Sequence, residues 1–167
     1  MIEKVDSGLY YDERSAGGIV YRVENGKVLW LLIKTLSKKN TTRVGTSVRK
    51  TVCKFPKGHL NKNEVLKAAA QREVEEEGRV KTKIVTKLGS NDYIIWDKAE
   101  HRKIIKKVTF FLMEYVEDSN LKYFDNETVI DRMWLTFEEA LGKLSYDSEK
   151  VLLKKASYRL KAIRKNG

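Results

Sequence analysis

A chain of 167 residues, 41% hydrophobic and 34% charged, is long enough for one substantial core and short for two. No apolar run is long enough to span a membrane as a helix, the N-terminus lacks the basic-then-apolar layout of a signal peptide, and the lone Cys53 has no internal disulfide partner. The expectation is one cytoplasmic domain over residues 1–167, monomeric or homodimeric, whose net charge of +11 suits polyanions such as polyphosphate nucleotides or RNA, or serves solubility alone.

In chain order, Ala16–Tyr21 and Val28–Lys34 read as a strand pair joined by a turn at Glu24-Asn25-Gly26-Lys27. Residues 35–50 are polar and basic without apolar periodicity and read as a loop. Thr51–Phe55 is a short strand ended by Pro56, the single proline. A helix follows: Asn61 or Asn63 can cap it, Glu64 falls in its first turn, and Leu66, Ala69, Ala70 and Val74 form an apolar stripe ended by Gly78. Lys83–Leu88, Tyr93–Trp96 and Lys106–Val116 read as strands, with a charged turn at 97–103. Thr136–Leu144 and Ser148–Ile163 read as helices, the second amphipathic, with Leu152, Leu153, Ala156, Leu160 and Ile163 on one side. Strands between helices, with helices for both faces, predict an α/β fold: an α/β/α sandwich around a mixed β-sheet.

Chemistry concentrates in the first helix. Glu73, Glu76 and Glu77 stand at i, i+3 and i+4 and share a face near the helix C-terminus, where they repel one another and oppose the macrodipole. Arg72 can pair with Glu76, in the poorer of the two orientations. A bound divalent cation, Mg2+ or Mn2+, would resolve the conflict, since both prefer hard oxygen ligands; the plain alternative is a solvated charged face. Other chemistries find no support: there is no P-loop, dinucleotide fingerprint or Gly-x-Ser-x-Gly elbow, and His59 and His101 are too few for a histidine-rich zinc site.

Gly58, then Glu64 after five residues, then after seven more Arg72-Glu73, Val74, Glu76-Glu77 and Val80 resemble the signature of the Nudix hydrolases, which cleave diphosphate linkages attached to nucleosides. One position departs: the signature has Gly where this chain has Arg79, with Gly78 one place early. Phe55-Pro56-Lys57-Gly58-His59 resembles the lead-in of the branch containing asymmetric diadenosine tetraphosphate hydrolases and diphosphoinositol polyphosphate phosphohydrolases. Residues 106–113, residues 134–141 and Leu144-Ser145-Tyr146 are similar to later segments of that branch, so the likeness runs from about Ser15 to Ala156.

The resemblance implies the Nudix α/β/α sandwich and metal-assisted hydrolysis. Glu73, Glu76 and Glu77, with the Gly58 backbone close by, would hold the Mg2+ or Mn2+. Arg72 would orient a carboxylate, and Glu64 would support the helix start or an outer metal. Glu127 is the candidate general base, or else an exposed loop acid. Lys57 and Lys106 are candidate phosphate contacts, or ordinary surface lysines. Phe110 and Tyr146 either stack on adenine or fill the core. His59 would cap or line the loop, and His101 would face solvent. The implied substrate is a nucleoside polyphosphate, diadenosine tetraphosphate foremost; an RNA 5′ end, a diphosphoinositol phosphate and a catalytically silent nucleotide-sensing domain are the alternatives.

Overall fold

The computed structural model describes residues 3–4, 10–11, 13–36, 40–41, 45, 47–121 and 129–167. Two short pairs, β1 (Glu3–Lys4) with β2 (Tyr10–Tyr11) and β5 (Asn40–Thr41) with β6 (Ser47–Val48), stand apart from the main sheet. The main elements are β3 (Glu13–Glu24), β4 (Lys27–Leu36), β7 (Thr51–Lys54), β8 (Lys57–His59), α1 (Leu66–Gly78), β9 (Val80–Asp97), β10 (Arg102–Asp118), β11 (Val129–Leu135), α2 (Phe137–Lys143) and α3 (Asp147–Lys165). Their strands form a seven-stranded sheet in the order β11-β4-β3-β10-β9, with β7 on β4 and β8 on β3. Only β3–β10 is parallel, so the sheet is mixed, as expected.

The alternation of β3 and β10 divides the core. Ile19, Phe110 and Leu112 face one side and pack with Leu152, Leu153, Ala156 and Leu160 of α3. Val20, Phe111 and Met113 face the other and pack with Ala69, Ala70 and Val74 of α1. Both faces are covered, so these strands are apolar on consecutive residues instead of alternating. Gly18 lets α1 close on the sheet: a Cβ there would lie 2.6 Å from Met113 Sδ and 2.7 Å from Val74 Cγ2.

The β3–β4 turn has Asn25 at φ 49° and Gly26 at φ 75°, the left-handed pair that a two-residue hairpin needs. Within 35–50, β4 continues to Leu36 and pairs with β7, so the expected loop is shorter than its composition suggests. The two strands expected at 83–88 and 93–96 are one strand. Gly89-Ser90-Asn91-Asp92 has turn chemistry, yet each of these residues pairs with β10, and the ladder skips Leu88 as a bulge. The expected charged turn follows: the Asp97 carboxylate accepts from the N–H groups of Ala99 (2.8 Å) and Glu100 (3.1 Å).

Both ends of α1 differ from expectation. Neither asparagine caps it; Val65 is the N-cap, with no side-chain capping bond. Glu64 lies ahead of the helix in a small turn, where the Asn61 N–H donates to Glu64 Oε1 at 3.0 Å. At the other end Gly78 is still helical, and Arg79 takes the left-handed position at φ 56°, its N–H donating to Glu75 O at 2.9 Å. Holding a side chain there costs about 1 kcal/mol relative to glycine. In contrast, α2 starts on a complete capping box between Thr136 and Glu139. Among the described residues no helix is long and apolar enough to cross a membrane.

Candidate active site

Arg72 organises the acidic face of α1. Its Nε and Nη2 form a fork with Glu64 Oε2 and Oε1, both at 2.8 Å. Nη1 reaches Glu73 Oε1 at 2.8 Å and Glu76 Oε2 at 3.2 Å, and Nη2 also donates to His59 O at 2.8 Å. This planar fork needs arginine geometry; a lysine is a point charge. Glu64 is displaced from the first turn because it serves as the second half of this clamp. Hydrogen bonding from Arg72 holds its carboxyl below the ordinary value.

Glu73 and Glu77 face inward from the same helix. Glu73 is 9% exposed, and burial raises its pKa against the opposing pull of Arg72. A Cβ on Gly58 would collide with the Glu73 carboxylate, so a side chain there would push that carboxylate from its place beside the β8 backbone. Glu77 accepts from the Lys57 N–H at 3.1 Å, and burial pushes its pKa up to about 7.

The donor set fits a divalent cation: hard carboxylate oxygens within about one helical turn, beside a backbone without a side chain. Among the described residues, however, no three such groups gather around one point. Arg72 draws Glu73 and Glu76 toward itself, while Glu77 turns to the Lys57 N–H. A cation would therefore share these oxygens with the guanidinium.

Beside this cluster opens a cavity of about 460 Å³, lined by Lys54, Lys57 and Lys106, by Tyr93, Ile94, Ile95, Val108 and Tyr146, and by Asp92 and Glu149. Hydrogen bonds lock the start of α3 to the β7–β8 junction. Cys53 donates its N–H to Ser145 Oγ at 3.0 Å, the Ser145 N–H returns to Cys53 O at 3.0 Å, and the Phe55 N–H donates to Glu149 Oε1 at 2.8 Å. That docking brings Tyr146 and Glu149 to the cavity. Burial first, then Lys54 and Lys106, lower the pKa of Lys57: like charges are crowded there, as suits a site for an anion. The Lys57–Gly58 segment joins both halves. Its Lys57 side chain lines the cavity, its Lys57 N–H meets Glu77, and its Gly58 backbone abuts Glu73.

Comparison with known proteins supplies the family. A family model for the NUDIX domain matches residues 12–155. The chain belongs to the Nudix family. A Mycobacterium tuberculosis (strain CDC 1551 / Oshkosh) mutator-type protein, MutT4, is 30% identical over 113 residues, 68% of this chain; the match spans 44% of that relative's length. Among solved structures, the C. elegans Ap4A hydrolase binary complex superposes with a TM-score of 0.59 at 21% identity, covering 90% of this chain and 98% of that one. A Nudix hydrolase from Nitrosomonas europaea gives 0.64 at 14%, covering 87% and 88%. The NUDIX domain of Shewanella oneidensis NrtR complexed with ADP ribose gives 0.57 at 15%, covering 93% of each chain. At these identities the structural likeness speaks to the fold.

Within this Nudix domain, the residues singled out from the sequence separate into groups. Glu73, Glu76, Glu77 and Arg72 lie together with Gly58. Lys57, Lys106 and Tyr146 share the cavity, with Lys106 Nζ also 3.8 Å from Glu13 Oε2. Phe110 must be corrected as a stacking candidate: it is 0% exposed and packs edge-on against Phe55 at 6.3 Å, sealed under α3 two residues beyond Val108. Glu127 lies outside the described residues. His59 lies beside Ser15, with Nδ1 3.4 Å from Oγ, and His101 is an exposed turn residue.

Sequence reasoning missed Tyr93 and Glu149. Tyr93 sits opposite Lys106 in the ladder and belongs to a strand already expected, but nothing local marked its side chain. Glu149 did carry a signal. It stands three and four residues before Leu152 and Leu153, on the buried stripe of α3, where an acid is out of place.

Proposed function

We propose that this Nudix chain is a metal-dependent hydrolase of nucleoside polyphosphates, with diadenosine tetraphosphate, cleaved to ATP and AMP, as its foremost substrate. The observation that carries this reading is the Lys57–Gly58 segment shared between cavity and carboxylates. A nucleoside seated among Tyr93, Ile94, Ile95, Val108 and Tyr146 would lead its polyphosphate past Lys57 and onto the acidic face of α1. The C. elegans Ap4A hydrolase shares this fold; the choice of substrate rests on the cavity and on the sequence resemblance.

Glu73, Glu76 and Glu77 would hold Mg2+ or Mn2+. When bound, such a cation supplies charge neutralisation and a water of lowered pKa for in-line attack on phosphorus. Lys57 and Lys106 neutralise non-bridging phosphate oxygens as point charges. Arg72 holds Glu73 and Glu76 on one side of the helix, and their oxygens would be shared between the guanidinium and the cation. Water adds to phosphorus and gives up its proton to solvent, the bridging P–O bond breaks, and the negative charge leaves on the departing nucleotide phosphate.

A second reading, processing of an RNA 5′ end, draws on the net charge of +11. The test is product analysis with Mg2+ on diadenosine tetraphosphate, 5′-triphosphate RNA, ADP-ribose and a diphosphoinositol phosphate. ATP and AMP from the first, with RNA intact, is the expected result. Release of phosphate or pyrophosphate from RNA in preference would move the function to 5′-end processing. Turnover of none would refute the hydrolase reading for these substrates.

A further inference from the structure

Glu149 is the buried acid in the cavity wall that hydrolysis leaves without a task. It is 1% exposed. Its Oε1 accepts from the Phe55 N–H at 2.8 Å, while its Oε2 is buried with no hydrogen-bond partner. An anchor for α3 needs only the first oxygen. The second lies in the wall of a cavity otherwise lined by aromatic and aliphatic side chains, three lysines and Asp92. An ionised carboxylate offers acceptors only, so it repels phosphate and attracts N–H. Burial pushes the Glu149 pKa up to about 7, against the Phe55 N–H, Lys57 and Lys54, so the carboxylate is ionised and acceptor-only above that pH. The lysines take the phosphates, the apolar walls take a flat ring, and the remaining oxygen is left for the edge of that ring.

We infer that Glu149 reads the base of the nucleotide: its Oε2 accepts a hydrogen bond from an amino group, so the cavity selects an amino-bearing base such as adenine over the same base with a carbonyl in that place. This rests on the preceding reading, that the cavity receives the nucleoside. A carbonyl there would set lone pair against lone pair and leave both groups unsatisfied, which a polar site rejects strongly.

Adenine and hypoxanthine supply the matched pair, and AMP and IMP are probes that require no turnover. Calorimetric titration of the metal-free protein well above the Glu149 pKa of about 7 is expected to show AMP bound more tightly than IMP by about tenfold or more. The Glu149→Gln variant then tests the residue. The Phe55 N–H keeps the amide oxygen on its own side, which turns the amide N–H2 toward the cavity as a donor. The AMP:IMP affinity ratio should fall at least about tenfold and approach or pass reversal. A purely structural latch would keep the ratio, since the bond to Phe55 survives.

Equal affinity for AMP and IMP in the unmodified protein would overturn the inference without reference to any variant. So would an unchanged ratio in a folded Glu149→Gln protein. Base selectivity with no turnover of any polyphosphate would remove the hydrolase reading and support Glu149 as the base reader; turnover of diadenosine and diinosine tetraphosphates with no selectivity in binding would do the reverse.

Discussion

Replacing Arg72 by alanine tests whether the acidic face of α1 is held together by one guanidinium. Arg72 makes five hydrogen bonds, two to Glu64 and one each to Glu73, Glu76 and His59 O. The side chain is 25% exposed, and those of Glu64 and Glu73 are 15% and 12% exposed. At such intermediate burial a charge-assisted bond is worth about 1 kcal/mol after exchange with water, less for the longer, more exposed contact to Glu76. Removing the guanidinium also leaves Glu73 and Glu64 without counter-charge, so Arg72→Ala should cost roughly 2–4 kcal/mol. For a chain of this size that lowers Tm by roughly 5–12 °C.

Urea and thermal unfolding at pH 7 with chelator present would measure it. Arg72→Lys keeps the charge and loses the fork, and should recover less than half of the loss. The pH arm has a definite sign. Arg72 holds the Glu64 carboxyl below its ordinary value of 4.5, so this part of the stability exists above that value and is lost as pH falls through the lower, folded one. Arg72→Ala should lack that acid-side loss. Added Mg2+ should raise the Tm of Arg72→Ala more than that of the parent, because the freed Glu73 and Glu76 oxygens become available to it. A loss under about 0.5 kcal/mol, or full restoration by lysine, would refute the clamp.

Other variants probe separate parts. Glu76→Gln or Glu77→Gln should cut turnover of diadenosine tetraphosphate by about 10²-fold or more with Tm little changed, because these side chains, proposed as metal ligands, lie outside the apolar core; near-normal turnover would exclude them as metal ligands. Burial raises the Glu149 pKa from 4.5 to about 7, so the folded state holds its proton more tightly than the unfolded chain. Stability should therefore fall as pH rises from about 4.5 to about 7, by on the order of 1–3 kcal/mol from this group, and level off above. Denaturant titrations of Glu149→Gln should show a flatter profile across that window, and an identical profile would dismiss the assignment. Arg79→Gly, which restores the residue of the Nudix signature at a left-handed position, should raise stability by about 0.5–1 kcal/mol in urea unfolding; a loss would mean that the Arg79 side chain stabilises the fold by more than its backbone costs.

Local rules made much of this chain legible before its fold was known. Asn25-Gly26 set a hairpin because few other pairs accept two left-handed residues. The stripe Leu66, Ala69, Ala70 and Val74 belongs to α1, and Leu152, Leu153, Ala156 and Leu160 belong to α3, because helical spacing alone puts each group on one face. The grouping of Glu73, Glu76 and Glu77 follows from that same spacing, and the match between Arg72 and Glu76 was visible for the same reason.

Partners distant in the chain decided the rest. Glu64 left the helix because Arg72, eight residues on, pulls its carboxylate into a fork. Gly89-Ser90-Asn91-Asp92 stayed in a strand because β10 supplies a ladder across it, and cross-strand hydrogen bonds outweigh turn propensity. Phe110 and Tyr146 are both aromatic, and their sequence surroundings do not say which is accessible: the docking of α3 seals the first and leaves the second 46% exposed at the cavity. Glu149 meets the Phe55 N–H across 94 positions. Sequence by itself determined which residues share a face, because that depends on periodicity along a single element. Which faces meet, which oxygen is left without a donor and where a cavity opens depend on contacts between elements, and those exist only once the chain has packed.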